Sequence, residues 1–180
     1  MLVQMSGAPG SGKSTIAQAV ARSRRFVIVD HDVVKNAQLG AGLPFLQAGK
    51  VSYAVLLALA EDLLGQGHDV IIDSPCFYDE LLNGGQAAAS RTGAAYRYIE
   101  CVADDLDVLD QRLRSRVRRE TQIVGVYEEP RDDRYRGRTG AEVFRDWIDN
   151  MKRPGTGYLR LDTTRPIEEC VEAALEFLDG

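Results

Sequence analysis

The residues Gly7-Ala8-Pro9-Gly10-Ser11-Gly12-Lys13-Ser14-Thr15 fit the pattern G-x-x-x-x-G-K-S and directly follow the apolar run Leu2-Val3-Gln4-Met5. A strand that turns through glycines straight into a helix aims several backbone N–H groups at one point. That point is the positive end of the helix, where a triphosphate can sit. Gly7, Gly10, Ser11, Gly12, Lys13, Ser14 and Thr15 are therefore the expected nucleotide-binding residues. Lys13 is expected to reach the β- and γ-phosphates and Ser14 to ligate Mg²⁺. The dinucleotide fingerprint G-x-G-x-x-G fails, because Gly10 and Gly12 are followed by Thr15 where the third glycine belongs. The loop thus calls for a nucleoside triphosphate.

Periodicity and punctuation along the rest of the chain alternate strand with helix, and this order predicts one parallel sheet covered by helices. Strands are expected at about 2–6, 26–29, 70–73, 96–102 and 158–161, the second running on into Asp30-His31-Asp32. Helices are expected at about 13–22, 51–65, 79–91, 104–119, 141–151 and 166–178. Residues 120–140 are polar and turn-rich. No internal repeat or low-complexity linker interrupts the order, so the 180 residues read as a single domain, 1–180.

Composition narrows the function classes. A hydrophobic fraction of 44% with 27% charged residues is that of an ordinary globular chain, and the net charge of −5 argues against broad attraction to nucleic acid or to an anionic membrane. No stretch approaches the roughly 20 apolar residues of a spanning helix, and the N-terminus enters the first strand without a signal-peptide pattern, so a cytoplasmic protein is expected. Cys76, Cys101 and Cys170 lack C-x-x-C or Cys/His spacing and are read as buried free thiols.

Parallel strands present their carboxyl ends to one edge, where ligands bind in open α/β sheets. Asp30 and Asp32 are expected at the end of the second strand and Asp73 at the end of the third, where a carboxylate contacts Mg²⁺ directly or through water. Phosphoryl transfer to an alcohol needs a carboxylate that orients the hydroxyl and finally takes its proton, and Asp32 is the candidate. Alternation along an extended segment points His31 away from both neighbouring acids, leaving it a structural or surface role. Arg112, Arg114, Arg116, Arg118 and Arg119 cluster within eight residues. On a continuous helix Arg112, Arg116 and Arg119 share a face that could cover phosphates, with catalysis resting on Arg112 and Arg116. The nearly charge-balanced run Arg131 to Arg138 is either a surface loop or part of acceptor binding. Trp147 is read as core packing, because it falls at helical spacing from Val143 and Phe144.

The whole chain resembles the P-loop kinase group that includes polynucleotide 5′-hydroxyl kinases, zeta toxins and chloramphenicol phosphotransferase, within the wider fold of adenylate and gluconate kinases. The features that carry the resemblance are, in order, Gly7 to Thr15, Asp32-Val33-Val34-Lys35, Val70-Ile71-Ile72-Asp73, and Leu106 through Arg116. It implies a P-loop kinase-like three-layer α/β sandwich with a central five-stranded parallel sheet and an arginine-rich lid at about 112–140. In the polynucleotide kinases the second feature resembles D-x-x-R, whose Asp is the general base and whose Arg contacts the acceptor. Asp32 matches that Asp, but Lys35 stands in place of the arginine, and a lysine cannot make the bidentate fork. The acceptor contacts implied are Asp32, Lys35 and Asp73, the lid arginines Arg112 and Arg116, and the metal ligands Ser14 and Asp73. The loop Thr164-Arg165-Pro166 is nominated to lie beside the nucleotide base.

The activity expected is that of an ATP- and Mg²⁺-dependent kinase acting on a hydroxyl of a small molecule such as a metabolite, nucleoside or antibiotic. A polynucleotide 5′-hydroxyl kinase is the less favoured alternative, because a net-acidic chain with Lys35 lacks the continuous basic groove that tracks a nucleic-acid backbone. A non-catalytic ATP-binding module is the other alternative. A regulatory GTPase is disfavoured by the lack of an N-K-x-D guanine motif.

Overall fold

In the computed structural model, which describes residues 1–117, 122–129 and 132–180, five strands form one parallel sheet. They are β1 (Leu2–Ser6), β2 (Val27–Asp30), β3 (Val70–Asp73), β4 (Tyr96–Val102) and β5 (Leu159–Asp162), in the spatial order β2-β3-β1-β4-β5. The helices are α1 (Lys13–Arg24), α2 (His31–Gly40), α3 (Phe45–Gly65), α4 (Asp79–Thr92), α5 (Leu106–Ser115), α6 (Gly140–Asp149) and α7 (Ile167–Asp179). The strand pairs are all parallel, and the register brings Asp30 beside Asp73 at the carboxyl edge.

The layering follows from the period-2 alternation of the strands. Val3 and Met5 of β1, Ile71 of β3 and Ile99 of β4 face one side and bury against Ile16, Ala17 and Val20 of α1 and Cys170, Ala174 and Leu178 of α7. Leu2, Val70 and Ile72 face the other side, against Leu56, Ala60 and Leu64 of α3 and Ala88 and Ala89 of α4. The strands are apolar on both faces because both faces are covered. A third cluster, centred on Leu109 and Leu113 of α5 and Phe144 of α6, packs beneath the phosphate loop through Ala8.

The three cysteines are free and buried, as expected, and burial pushes the thiols of Cys76 and Cys101 up to about 12. The helices depart from expectation in three places. Asp30 ends β2, but its side chain accepts hydrogen bonds from the backbone N–H of Asp32 (2.7 Å) and Val33 (3.3 Å). It thereby caps a helix that starts at His31, so Asp32 lies in a first helical turn rather than at a strand end. The following helix begins at Phe45, directly after Pro44, earlier than expected. Helix α5 stops at Ser115, with Arg116 extended (φ −78°, ψ 151°), so the arginine face does not continue. Arg118, Arg119 and Arg131 lie outside the described residues.

Glu100, on β4, is 2% exposed. The Arg153 guanidinium grips it with a fork of two hydrogen bonds, at 2.8 and 2.6 Å, and also donates to the carbonyls of Met151 (2.8 Å) and Ile148 (2.9 Å). This pair ties the segment after α6 to the sheet. Removing one partner strands the other charge without its counterion. Glu100→Ala is therefore expected to lower stability by about 2–4 kcal/mol in urea unfolding, and adding Arg153→Met should recover most of that loss. An Ala variant as stable as the parent would show that the pair has no structural role.

Candidate active site

The loop from Gly7 to Gly12 closes in a way that requires glycine. Gly7 has φ +131°, and a Cβ there would lie 2.2 Å from the Cys101 carbonyl oxygen on β4 and 2.5 Å from Ser11 Oγ. No larger residue fits without moving the sheet. Gly12, at φ 87°, is the N-cap of α1 and supplies no capping side chain, and no acidic residue occupies the first turn. The helix therefore begins with donors that no capping side chain satisfies, the arrangement that binds a phosphate. Lys13 folds back over the loop, its ammonium donating to the carbonyls of Gly7 (2.9 Å) and Ala8 (3.0 Å). Burial pulls its pKa down, opposed chiefly by the field of Asp73.

Thr163 secures the loop from the far side. Its hydroxyl lies 2.8 Å from the Ser11 carbonyl and 3.0 Å from that of Val102, and its backbone N–H donates to Val102 at 2.9 Å. Arg112 reaches across from α5 to donate to Thr163 Oγ1 (3.1 Å) and to the Thr163 carbonyl (2.7 Å). Arg112 thus belongs to the seam between α5, the loop and the end of β5. Arg116, just past α5, places one guanidinium nitrogen 3.4 Å from the Ile123 carbonyl and lies close enough to Lys13 to lower its pKa.

Asp73 stands at the end of β3, 5% exposed, with Lys13 and the Ser14 hydroxyl as neighbours. Burial pushes its carboxyl up to about 6, against the lowering effects of Lys13 and the Ser14 hydrogen bond. A hydroxyl hydrogen-bonded to a carboxylate is an all-oxygen donor pair of the kind that, completed by phosphate oxygens and water, suits Mg²⁺. The described residues contain no group of three or more acidic, His or Cys side chains that could cage a metal alone.

Asp32 accepts a hydrogen bond from the Gln122 side-chain amide at 2.7 Å, and His31 Nδ1 lies 3.5 Å away. Burial raises its pKa, yet these two neighbours and Lys13 outweigh that effect and hold it at about 2, so Asp32 is ionised throughout the neutral range. At 3.5 Å His31 is an electrostatic neighbour rather than a well-formed hydrogen-bond donor. Contrary to the extended-strand expectation, the helical start turns its ring inward: His31 is 6% exposed and stacks on Tyr53 at 4.6 Å. Lys35 holds its ammonium 3.8 Å over the Phe45 ring, and burial lowers its pKa.

Lys13, Ser14, Thr15, Asp32, Lys35, Asp73, Arg112, Arg116 and Arg165 all line one cleft of about 1340 Å³. A single drug-sized ligand fills roughly 300–1,000 Å³, so the cleft has room for a nucleotide and a second molecule. Gly7 and Ser11 are buried within the loop and do not line the cleft, and Thr164 is also absent from its wall. The Thr164 hydroxyl and N–H both bond Asp162 (2.7 and 2.9 Å), and Arg165 pairs with Glu169 at 2.7 Å on the surface. Thr163 and Gln122 escaped the sequence reading, since a lone threonine at a strand end and a glutamine in a polar run carry no pattern. Trp147 does pack against Phe144 as expected, at 5.0 Å, but it also lines the cleft, which helical spacing could not show.

A family model described as an AAA domain matches residues 2–153, and the chain belongs to that family of P-loop proteins. The fold is the P-loop kinase-like α/β fold shared with several solved structures. A protein of Chloroflexus aurantiacus, provisionally classed as a kinase, is 23% identical with a TM-score of 0.73, covering 98% of this chain and 97% of that one. The Mycobacterium tuberculosis APS kinase CysC, in complex with AMPPNP and APS, is 21% identical with a TM-score of 0.67, covering 99% and 97%. A gluconokinase of Sinorhizobium meliloti 1021 is 16% identical with a TM-score of 0.63, covering 98% and 90%. No curated protein matches the chain. Among the described residues no helix is long and apolar enough to cross a membrane.

The raised pKa of Asp73 has a stability consequence. Its folded-state value of about 6 lies above the unfolded value of 3.8, so the ionised form costs stability fully above pH 6, and that cost disappears as pH falls to about 4. Asp73→Asn is expected to stabilise the ligand-free protein by on the order of 1–3 kcal/mol at pH 7.5. The gain should shrink steadily between pH 6 and pH 4 in thermal melts. A destabilised Asn variant at pH 7.5 would show that the carboxylate is held by compensating contacts instead.

Proposed function

We propose that the protein is an ATP-dependent, Mg²⁺-requiring phosphotransferase that moves the γ-phosphoryl group to a hydroxyl of a small molecule such as a metabolite, nucleoside or antibiotic. The observation that carries this reading is the convergence of Lys13, Ser14, Asp73 and Asp32 on one cleft large enough for donor and acceptor together. The likeness to kinases in fold and the AAA-domain family match support it.

In this reading Gly10 and the turn from Gly12 to Thr15 hold the phosphates through backbone N–H groups, and Lys13 leaves the Gly7 and Ala8 carbonyls to meet the β- and γ-phosphates. Ser14 and Asp73 would hold Mg²⁺, which would neutralise charge on the phosphate oxygens. Asp32 exchanges its Gln122 hydrogen bond for the acceptor hydroxyl. The hydroxyl oxygen then bonds to the γ-phosphorus while the bridging bond to the β-phosphate breaks, its electron pair departing with the nucleoside diphosphate. The hydroxyl proton passes to an Asp32 carboxylate oxygen. A carboxylate at about 2 is a weak base. It suits a loose transition state, in which the hydroxyl loses its proton late, and it acts first by orienting the nucleophile. Arg116 covers the charge of the phosphoryl group in flight. Arg112, tied to Thr163, holds the nucleotide edge of the cleft, where Arg165 flanks the base.

Product mass after incubation with ATP, Mg²⁺ and a library of hydroxyl compounds tests the activity. Lys13→Ala is expected to lower transfer at least about a hundredfold while leaving the melting curve intact. Asp32→Asn keeps shape and hydrogen bonding but discards the base, and should retain ATP affinity while turnover falls by roughly 10²–10⁴. Arg116→Lys should lose nearly as much activity as Arg116→Ala, because a point charge cannot make the planar fork. Wild-type turnover in Lys13→Ala would sink the assignment. Salt-sensitive labelling of 5′-hydroxyl oligonucleotides, with no turnover of small hydroxyl compounds, would replace it with a polynucleotide kinase.

A further inference from the structure

The acceptor side of the cleft is walled by aromatic rings. Seven of the chain's thirteen Phe, Tyr and Trp residues line the cleft, the single tryptophan among them. Six of them form two connected groups. Tyr53, backed by the stacked His31 ring, meets Tyr78 edge-on at 5.5 Å. Trp147 sits 5.3 Å from Phe77 and 5.8 Å from Tyr135, to whose hydroxyl its indole N–H donates at 2.9 Å. Arg134 touches both groups, with a guanidinium nitrogen 3.4 Å from the Tyr78 hydroxyl and its charge 5.8 Å from the Tyr135 ring.

Four of the described charges on this side offset one another. Arg134 is held in a fork by Asp132, at 2.9 and 2.6 Å. Lys35 lies over Phe45 and within the fields of Asp32 and Asp132. Asp32 and Asp132 therefore offset Lys35 and Arg134, and these four leave no net charge to attract an ionic acceptor. An anionic acceptor that engaged Arg134 would have to pull it from Asp132. A flat ring between aromatic walls needs no such rearrangement and gains stacking contacts.

We propose that the phosphoryl acceptor is an uncharged alcohol carried on a planar aromatic or heteroaromatic ring, which packs among Tyr53, Tyr78, Phe77, Tyr135 and Trp147 with its hydroxyl presented to Asp32. This specificity rests on the kinase reading above and deepens it. It sets the acceptor apart from sugar acids, acyclic polyols and phosphorylated or sulfated nucleotides. Its reaction is the one already described: the alcohol oxygen gains the phosphoryl group, its proton goes to Asp32, and the nucleoside diphosphate leaves.

The test uses the full chain with a panel of uncharged nucleosides and hydroxymethyl-substituted aromatics, set against gluconate, glycerol, sorbitol and nucleoside 5′-monophosphates. Binding in the presence of ADP and Mg²⁺ is read by Trp147 fluorescence, which as the only tryptophan reports on this wall alone. Transfer from ATP is read by product mass. Ring alcohols are expected to change the fluorescence and to be phosphorylated. Tyr53→Leu and Trp147→Leu should raise their KM about tenfold or more with the KM for ATP unchanged, while Tyr53→Phe and Trp147→Phe keep the ring and most of the affinity. The Phe variants separate loss of stacking from loss of fold. Turnover of gluconate, a polyol or a monophosphate in preference to every ring alcohol overturns the proposal and leaves the kinase reading standing. So does a failure of every ring compound to perturb Trp147 at about 1 mM, an affinity floor that a working acceptor site clears. Ring binding with no phosphoryl transfer to any panel member would sink the kinase reading and the acceptor assignment together.

Discussion

The architecture depends on how closely the phosphate loop sits against the carboxyl ends of β1, β4 and β5. At Gly7 the backbone approaches the Cys101 carbonyl so closely that a Cβ would lie within 2.2 Å of it. Only a glycine lets the chain leave β1, curl and re-enter as α1 at that distance. Thr163 fastens the same loop to the end of β5 and Arg112 fastens it to α5, so three separate parts of the chain fix the cradle. An anion site made of backbone N–H groups works only if those groups are already oriented before the ligand arrives, and these contacts orient them.

Around that fixed loop the site is electrostatically unrelieved. The buried Asp73 has its carboxyl raised to about 6, and Lys13 beside it is pulled below its ordinary value. Each is the other's nearest compensation. Such arrangements reduce stability and are a mark of functional sites. The sheet's other buried acid, Glu100, contrasts with this: it is fully matched by Arg153 and has a structural role. Burial alone therefore does not separate the two; the presence or absence of a saturating partner does.

The cleft divides by chemistry. On the loop side it offers backbone donors, a hydroxyl and a lysine. On the far side it offers aromatic rings and the Arg134–Asp132 ion pair. Helix α2, which Asp30 caps, carries Asp32 to the boundary between these two regions. The position of that carboxylate is thus set by an N-cap geometry and by the stacking of His31 on Tyr53, both of which act on the helix rather than on any ligand.

Local physics made much of this legible in the residue order. The glycine spacing from Gly7 to Gly12, the apolar strands ending in Asp73 and the helical periodicity of residues 167–178 each carry a short-range signal, and they specify the loop, the parallel sheet and the layers. Asp30-His31-Asp32 looked extended because β-branched residues precede it, whereas the cap formed by Asp30 turned the chain into a helix. Arg112 and Arg116 share a helical spacing, but the end of α5 at Ser115 sent one to Thr163 and the other toward Ile123. The roles of Thr163, Gln122 and the aromatic wall were invisible for a different reason. Thr163 lies 152 positions from the Ser11 carbonyl it binds, and Gln122 lies 90 from Asp32. A residue's neighbours along the chain fix its backbone and its face, so the sequence by itself determined the loop and the sheet. Partners brought together by the packing of distant elements fix a cleft, and those only the tertiary structure decided.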